Sequence, residues 1–210
     1  MKRSWKSLES RLPTSSKFTD STYPVTVRKV GLPPRGSPLT NFKMPKKWTN
    51  KNVPGALHFV TGNVLNRRQI FRQEKNCIAF LQELQDLRTS HECKVIAFVI
   101  MLEHFHLILN PRDGDIQSYT GILKSLSAKQ IISLHPPGTF ETVDGNQVWQ
   151  ESFKSLALWR GWMISQKIHY IHANPVRDGL VKATAEYPWS SFHAFYSKEV
   201  GENLQVDKEW

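Results

Sequence analysis

The apolar and polar positions of this chain change period several times, and each change marks an element. Leu57-His58-Phe59-Val60-Thr61 reads as a strand, and Asn66-Arg67-Arg68 then turns the chain. From Gln73 to Arg88, Cys77, Phe80, Leu81, Leu84 and Leu87 recur at helical spacing. Lys94 to Met101 is apolar enough for a central strand, and a short turn at Leu102-Glu103 leads into a second one. That second strand, His104-Phe105-His106-Leu107-Ile108-Leu109, alternates. Extended, it sends Phe105, Leu107 and Leu109 to one face and the two histidines to the other. Arg112-Asp113-Gly114-Asp115 ends the strand and offers caps for a helix. Ile116, Tyr119, Ile122, Leu123, Leu126, Ile131 and Leu134 give that helix a buried face, and His135-Pro136-Pro137-Gly138 stops it. A strand or hairpin is expected from Asp144-Gly145-Asn146 to Gln150. The last helix is expected from about Leu158 to Ala173. Pro175 disfavours helical backbone at the residue before it, which puts Asn174 at the helix end.

The order is strand, helix, strand, strand, helix, strand, helix. The close succession of the second and third strands implies an antiparallel pair. Together these predict an α+β fold: a ferredoxin-like antiparallel sheet with helices on one face. The additional C-terminal helix, which bears Tyr170, can cover part of the other surface. The domain is expected over 57–196, after an arm of Pro- and Ser-rich sequence over 1–56 and before a tail at 197–210. Trp5, Phe18, Tyr23, Phe42 and Trp48 are a heavy aromatic load for an arm, so it could still dock.

Charge sharpens this division. The net charge is +10 over 210 residues, and all of it lies in the arm. Met1 to Ala56 carries twelve Lys and Arg against two Asp and Glu, and the rest carries sixteen of each sign. A basic segment beside a neutral domain suggests a polyanion such as nucleic acid, or else no more than a solvated tail. Two cysteines, Cys77 and Cys93, without a C-x-x-C pair argue against a cysteine metal cluster or a disulfide scaffold. No apolar run reaches the ~18 residues of a membrane span, and no secretory signal is evident, so a cytoplasmic protein with no membrane partner is expected.

Chemistry concentrates in two places. His104 and His106 on one strand face can chelate a divalent metal, although paired strand histidines also serve as ordinary hydrogen-bonded residues. Tyr170 and Asn174 stand one helical turn apart and share a face. A phenol is a weak nucleophile unless a base or cation helps it. A metal on the attacked phosphate would supply part of that help. Asn174 is either a helix C-cap or a third ligand through its amide oxygen. Two imidazoles and an amide oxygen suit Mg²⁺ or Mn²⁺, with water and substrate filling the remaining positions. Of the basic residues, Arg67, Arg68 and Lys124 are candidates to meet DNA phosphates, as is Lys129, against the alternative that such charges are plain solvated surface.

These segments resemble a known family. Glu103-His104-Phe105-His106 is similar to the His-hydrophobe-His motif of the single-tyrosine HUH transposases. Tyr170-Ile171-His172-Ala173-Asn174-Pro175-Val176-Arg177, followed by Gly179-Leu180-Val181, resembles the tyrosine helix of the REP-associated tyrosine transposases. Leu57 to Thr61, Val148-Trp149-Gln150 and Tyr187-Pro188-Trp189-Ser190-Ser191 resemble further landmarks, in the same order. The resemblance implies metal-dependent cleavage and rejoining of single-stranded DNA, with hairpin-forming palindromes as substrates. It implies that Tyr170 attacks a phosphodiester, leaving a 5′-phosphotyrosine and a free 3′-hydroxyl. It further implies a metal on His104 and His106, completed by Asn174. Monomer and homodimer are both compatible with it. Two features depart: Leu102 stands where the family commonly has Pro, and Ser155-Leu156 where it often has an acidic residue and His. That second departure leaves open a catalytically inactive DNA-binding protein on the same fold. A metal-dependent hydrolase of small molecules is a weaker third reading.

Overall fold

Four antiparallel strands, ordered second, third, first and sixth of the chain's strands, form the platform for everything else. The computed structural model describes residues 50–142, 145–196 and 205–209. In chain order these are β1 (Leu57–Asn63), α1 (Glu74–Ser90), β2 (Lys94–Ile100), β3 (His104–Asn110) and α2 (Ile116–Ser133). A two-residue hairpin, β4 (Glu141–Thr142) and β5 (Gly145–Asn146), precedes β6 (Lys154–Leu158), α3 (Gly161–Arg177) and α4 (Phe192–Tyr196). This is the predicted α+β, ferredoxin-like arrangement. The basic residues 1–49, and the tail residues 197–204 and 210, lie outside the described residues.

Strand alternation sorts the layers. Phe105 turns toward α1, where its ring lies 4.9 Å from that of Phe80 and 5.3 Å from Trp149. His106 turns to the opposite face, under α3, where its ring lies 5.4 Å from Tyr170. Both faces are therefore covered, and the β3 interior from Phe105 to Leu109 is buried throughout. Gly62 sits opposite Phe105 in the β1–β3 register. A Cβ added there would run into the Phe105 ring. Gly62→Ala is therefore expected to cost about 1–3 kcal/mol, as overpacking does, read as a lower urea midpoint with unchanged slope.

Two expectations need correction. The fourth strand of the sheet is β6, not the segment from 144 to 150. Within that segment only Gly145–Asn146 pairs, with Glu141–Thr142, and Trp149 makes a single bridge to Val64. β6 was hidden because Ser155 and Leu156 are both buried, so no polar alternation marks it. The last helix begins at Gly161 rather than Leu158 and continues through Pro175 to Arg177. Asn174 is therefore inside the helix. The stop lies at Gly179, whose φ is +71°. The Gly179 N–H bonds to the Val176 carbonyl and the Leu180 N–H to that of Pro175, a Schellman closure. Pro175 forfeits the bond its N–H would have given to Ile171, and the helix runs only two residues further.

The fold also reaches before Leu57. Asn50 donates its amide to the Phe153 carbonyl and accepts from the Ser155 N–H, each at 2.7 Å. Asn52 bonds the Asp115 side chain that caps α2. Residues 50–56, grouped with the arm by sequence, are thus tied to the domain. The outer edge of β2 is closed by chain from two later places. Ile100 N–H donates to Trp189 O, Phe98 N–H to Ser191 Oγ and Val95 N–H to Asp207 Oδ2, all at 2.9 Å. Tyr187-Pro188-Trp189-Ser190-Ser191 thus satisfies an edge that would otherwise be open to pairing.

Candidate active site

Four elements meet at a cavity of about 350 Å³ beside α3. β3 contributes His104 and His106, and β1 contributes Phe59, Thr61 and Asn63. β6 adds Lys154, α3 adds Lys167 and Tyr170, and Arg67 stands at the rim. The two imidazole rings lie 4.8 Å apart, as residues two apart on one strand must when they share a face. A larger groove of about 490 Å³ opens between the end of α1 and the start of α2, and it contains none of the predicted site residues.

His106 is fixed from three sides. Its ring stacks on Phe59 at 5.3 Å and meets the Tyr170 ring edge-on. Its Nδ1 is 2.7 Å from the Thr61 hydroxyl, its partner in the β1–β3 register. A ring held through Nδ1 has Nε2 left as its ligand atom. Burial, then the neighbouring His104, Lys167 and Arg177, lower the His106 pKa to about 3. Burial and Arg67 likewise lower that of His104. Both rings are thus neutral at physiological pH, the form that binds a metal. The His104 Nδ1 is buried without a hydrogen-bond partner. An orphaned imidazole nitrogen beside a second, oriented imidazole is a donor set that fits a divalent ion. Among the described residues no group of three or more His, Cys, Asp or Glu could hold one. Among the described residues a third protein ligand would be an amide, a hydroxyl or a backbone carbonyl.

Asn174 is buried one turn beyond Tyr170, and its Nδ2 donates to the Tyr170 carbonyl at 2.8 Å. That leaves Oδ1 as the free end of the carboxamide. Asn174 is not among the residues lining the cavity.

Three of the basic candidates to meet DNA, Arg67, Arg68 and Lys124, separate. Arg67 is at the rim, paired to Glu103 at 2.9 Å and to Asn63 at 2.7 Å, and it stays half-exposed. Its φ of +55° follows one of +54° at Asn66, two left-handed residues in succession that swing the side chain to this place. Arg68 is instead bound into the fold. It donates to the Thr139 and Gln147 carbonyls and lies over the Phe140 ring. Lys124 is buried and donates to the Gln150 and Glu151 carbonyls at 2.6 and 2.8 Å. Neither Arg68 nor Lys124 presents its charge to a ligand, because each satisfies loop carbonyls that would otherwise be unpaired.

The sequence reading passed over Lys167, Thr61, Phe59 and Lys154. Lys167 was legible, since it stands three residues before Tyr170 on the same helix. Thr61 was legible only through register. The family departures also acquire a location. Ser155 pairs with Val60 and faces away from the cavity, toward His58, whose Nδ1 is 3.4 Å from its hydroxyl. Leu156 pairs with Phe59, on the cavity's side of the sheet. At the turn, Leu102 O accepts from Phe71 N–H and Glu103 O from Val64 N–H, so the turn closes without a proline. His172 belongs elsewhere: its Nε2 meets the Ser191 hydroxyl at 2.8 Å and its ring packs among Phe192, Phe195 and Tyr196.

Residues 55–174 match the family described as "Transposase IS200 like". The chain is 25% identical, over 142 residues, to the REP-associated tyrosine transposase of Escherichia coli (strain K12). That similarity covers 67% of this chain and 79% of the relative. A solved structure of a REP-associated tyrosine transposase bound to a REP hairpin superposes with a TM-score of 0.59 at 22% identity. It covers 78% of this chain and 93% of its own, and it shows the same fold. With the family pattern running from just before β1 into the helix that bears Tyr170, the chain belongs to the IS200-like transposase family.

Proposed function

We propose that this protein cleaves and rejoins single-stranded DNA through a covalent tyrosine intermediate, on substrates that carry a hairpin. The observation that carries the reading is the placement of Tyr170: its ring lies 5.4 Å from His106 at a cavity bordered by Lys154, Lys167 and Arg67. A phenol, two neutral imidazoles and several cations around one cavity suit an attacked phosphodiester far better than a neutral small molecule. The hairpin enters from the structural relative, which was solved bound to one.

Tyr170 is the nucleophile. Its hydroxyl oxygen bonds to phosphorus as the P–O3′ bond breaks, the phenol proton is lost and the departing 3′ oxygen gains one. The product is a 5′-phosphotyrosine and a free 3′-hydroxyl. Attack by another 3′-hydroxyl reverses the step, conserving the bond without ATP. His104 and His106 would hold Mg²⁺ or Mn²⁺, with water and substrate filling the remaining positions; Asn174, outside the cavity lining, is not assigned to the ion. Such an ion would draw charge from the oxygens of the attacked phosphate. Thr61 keeps His106 in the ligating orientation, and Phe59 supports both that ring and Tyr170.

The test is a 3′-end-labelled single strand with an imperfect hairpin and randomised flanks. With Mg²⁺ or Mn²⁺, a labelled band that survives denaturing gel electrophoresis at the protein's mass is expected. Chelation should lower its yield at least about 100-fold. Tight hairpin binding with no adduct in either metal would replace this reading with the DNA-binding one.

A further inference from the structure

Lys167 is buried, yet its ammonium reaches the cavity that holds His104, His106 and Tyr170. Two aromatic faces cradle it: Nζ is 4.4 Å from the Phe59 ring centre and 5.1 Å from that of Tyr170. The spacing of three residues puts Lys167 and Tyr170 on one face of α3. Arg177 approaches the same ring at 5.1 Å, so cations from one turn before and two turns after attend the phenol. A lysine that served only to cover apolar surface would send its charge outward to solvent. This one brings its charge to the nucleophile.

We propose that Lys167 is a further catalytic residue of this site, its ammonium taking a non-bridging oxygen of the phosphate that Tyr170 attacks. The proposal rests on the reading of Tyr170 as nucleophile. In the attack, Tyr170 Oη–P forms, P–O3′ breaks, and negative charge builds on the non-bridging oxygens. Lys167 keeps its protons throughout and offsets that charge. The rings of Phe59 and Tyr170 hold the ammonium in place before substrate arrives, so little reorganisation is needed when charge develops.

The experiment compares wild type, Lys167→Met, Lys167→Arg and Tyr170→Phe in single-turnover adduct formation on a hairpin-bearing single strand. Methionine keeps most of the stem and removes the charge. Lys167→Met is expected to slow adduct formation about 100-fold, with hairpin affinity within about threefold. Lys167→Arg should recover about tenfold of the loss. The diagnostic arm replaces one non-bridging oxygen at the scissile linkage with a neutral methyl group, a methylphosphonate. If Lys167 acts on that charge, the gap between wild type and Lys167→Met should shrink to within about fivefold on this substrate. A merely structural lysine would leave the gap unchanged, and that result overturns the proposal. So does a Lys167→Met variant as fast as wild type on the natural linkage. A wild type that forms no adduct overturns the nucleophile reading and this proposal together. Adduct formation that fails in Tyr170→Phe but is unaffected by Lys167→Met overturns this proposal alone.

Discussion

Tyr170→Phe should abolish the covalent DNA adduct, lowering its rate at least about a thousandfold, while hairpin affinity stays within about twofold. The change removes one oxygen. The ring keeps its edge contacts with Phe59 and His106, and the cations of Lys167 and Arg177 still lie over its face. Nothing in the core moves, because Tyr170 is only half-buried and packs at the cavity wall. Unfolding midpoints should therefore match. The comparison isolates the nucleophile from the fold and from DNA binding, which the larger surface around Arg67 and Lys154 can sustain. An adduct formed by the phenylalanine variant at the wild-type rate would remove Tyr170 from the chemistry. A variant that loses hairpin binding as well would show that the phenol binds DNA rather than attacks it.

How much of this was legible beforehand follows from burial. The face assignment of His104 and His106 was readable because β3 alternates, and its two faces receive different partners. The tyrosine helix was readable from spacing, since Tyr170 and Asn174 stand one turn apart wherever the helix ends. β6 was not readable: a five-residue strand buried on both sides carries no period. The fates of Arg68 and Lys124 were equally hidden. A sequence counts their charge, but only the fold reveals that carbonyls of the 139–152 loops consume it. The end of α3 was misplaced because a proline was given more weight than the glycine four residues later. The Ser155-Leu156 departure illustrates the same point. In sequence it looked like a single lost pair. In space its halves point to opposite faces of the sheet, and only Leu156 shares the cavity's side. The argument for an inactive protein thus has one position to rest on instead of two, and that position neighbours Phe59 rather than either histidine.

His106→Ala carries the second large effect, and it reads both the site and the fold. His106 is buried, stacked on Phe59 and tied to Thr61, so it is the ring whose orientation is most tightly set. Its loss should lower adduct formation at least about 100-fold, with hairpin binding retained. Thr61→Val keeps the imidazole but frees its Nδ1, and should cost about tenfold, the scale of an orienting partner. Equal losses for the two variants would mean that the hydroxyl, not the ring, does the work. The same substitution alters acid stability in a defined direction. The folded-state pKa of His106 is lowered from the ordinary 6.5 to about 3, mainly by burial and then by His104, Lys167 and Arg177. The unfolded chain therefore takes up a proton on His106 across this interval while the folded chain does not. The stability contributed by keeping the ring neutral is full above pH 6.5 and is lost as pH falls toward 3. Wild type should thus lose stability on acidification more steeply than His106→Ala, measured by urea unfolding at pH 7 and pH 5 without added metal. Parallel pH dependences in the two proteins would mean that the imidazole takes up its proton in the fold as readily as in the unfolded chain, against a ring kept neutral by burial.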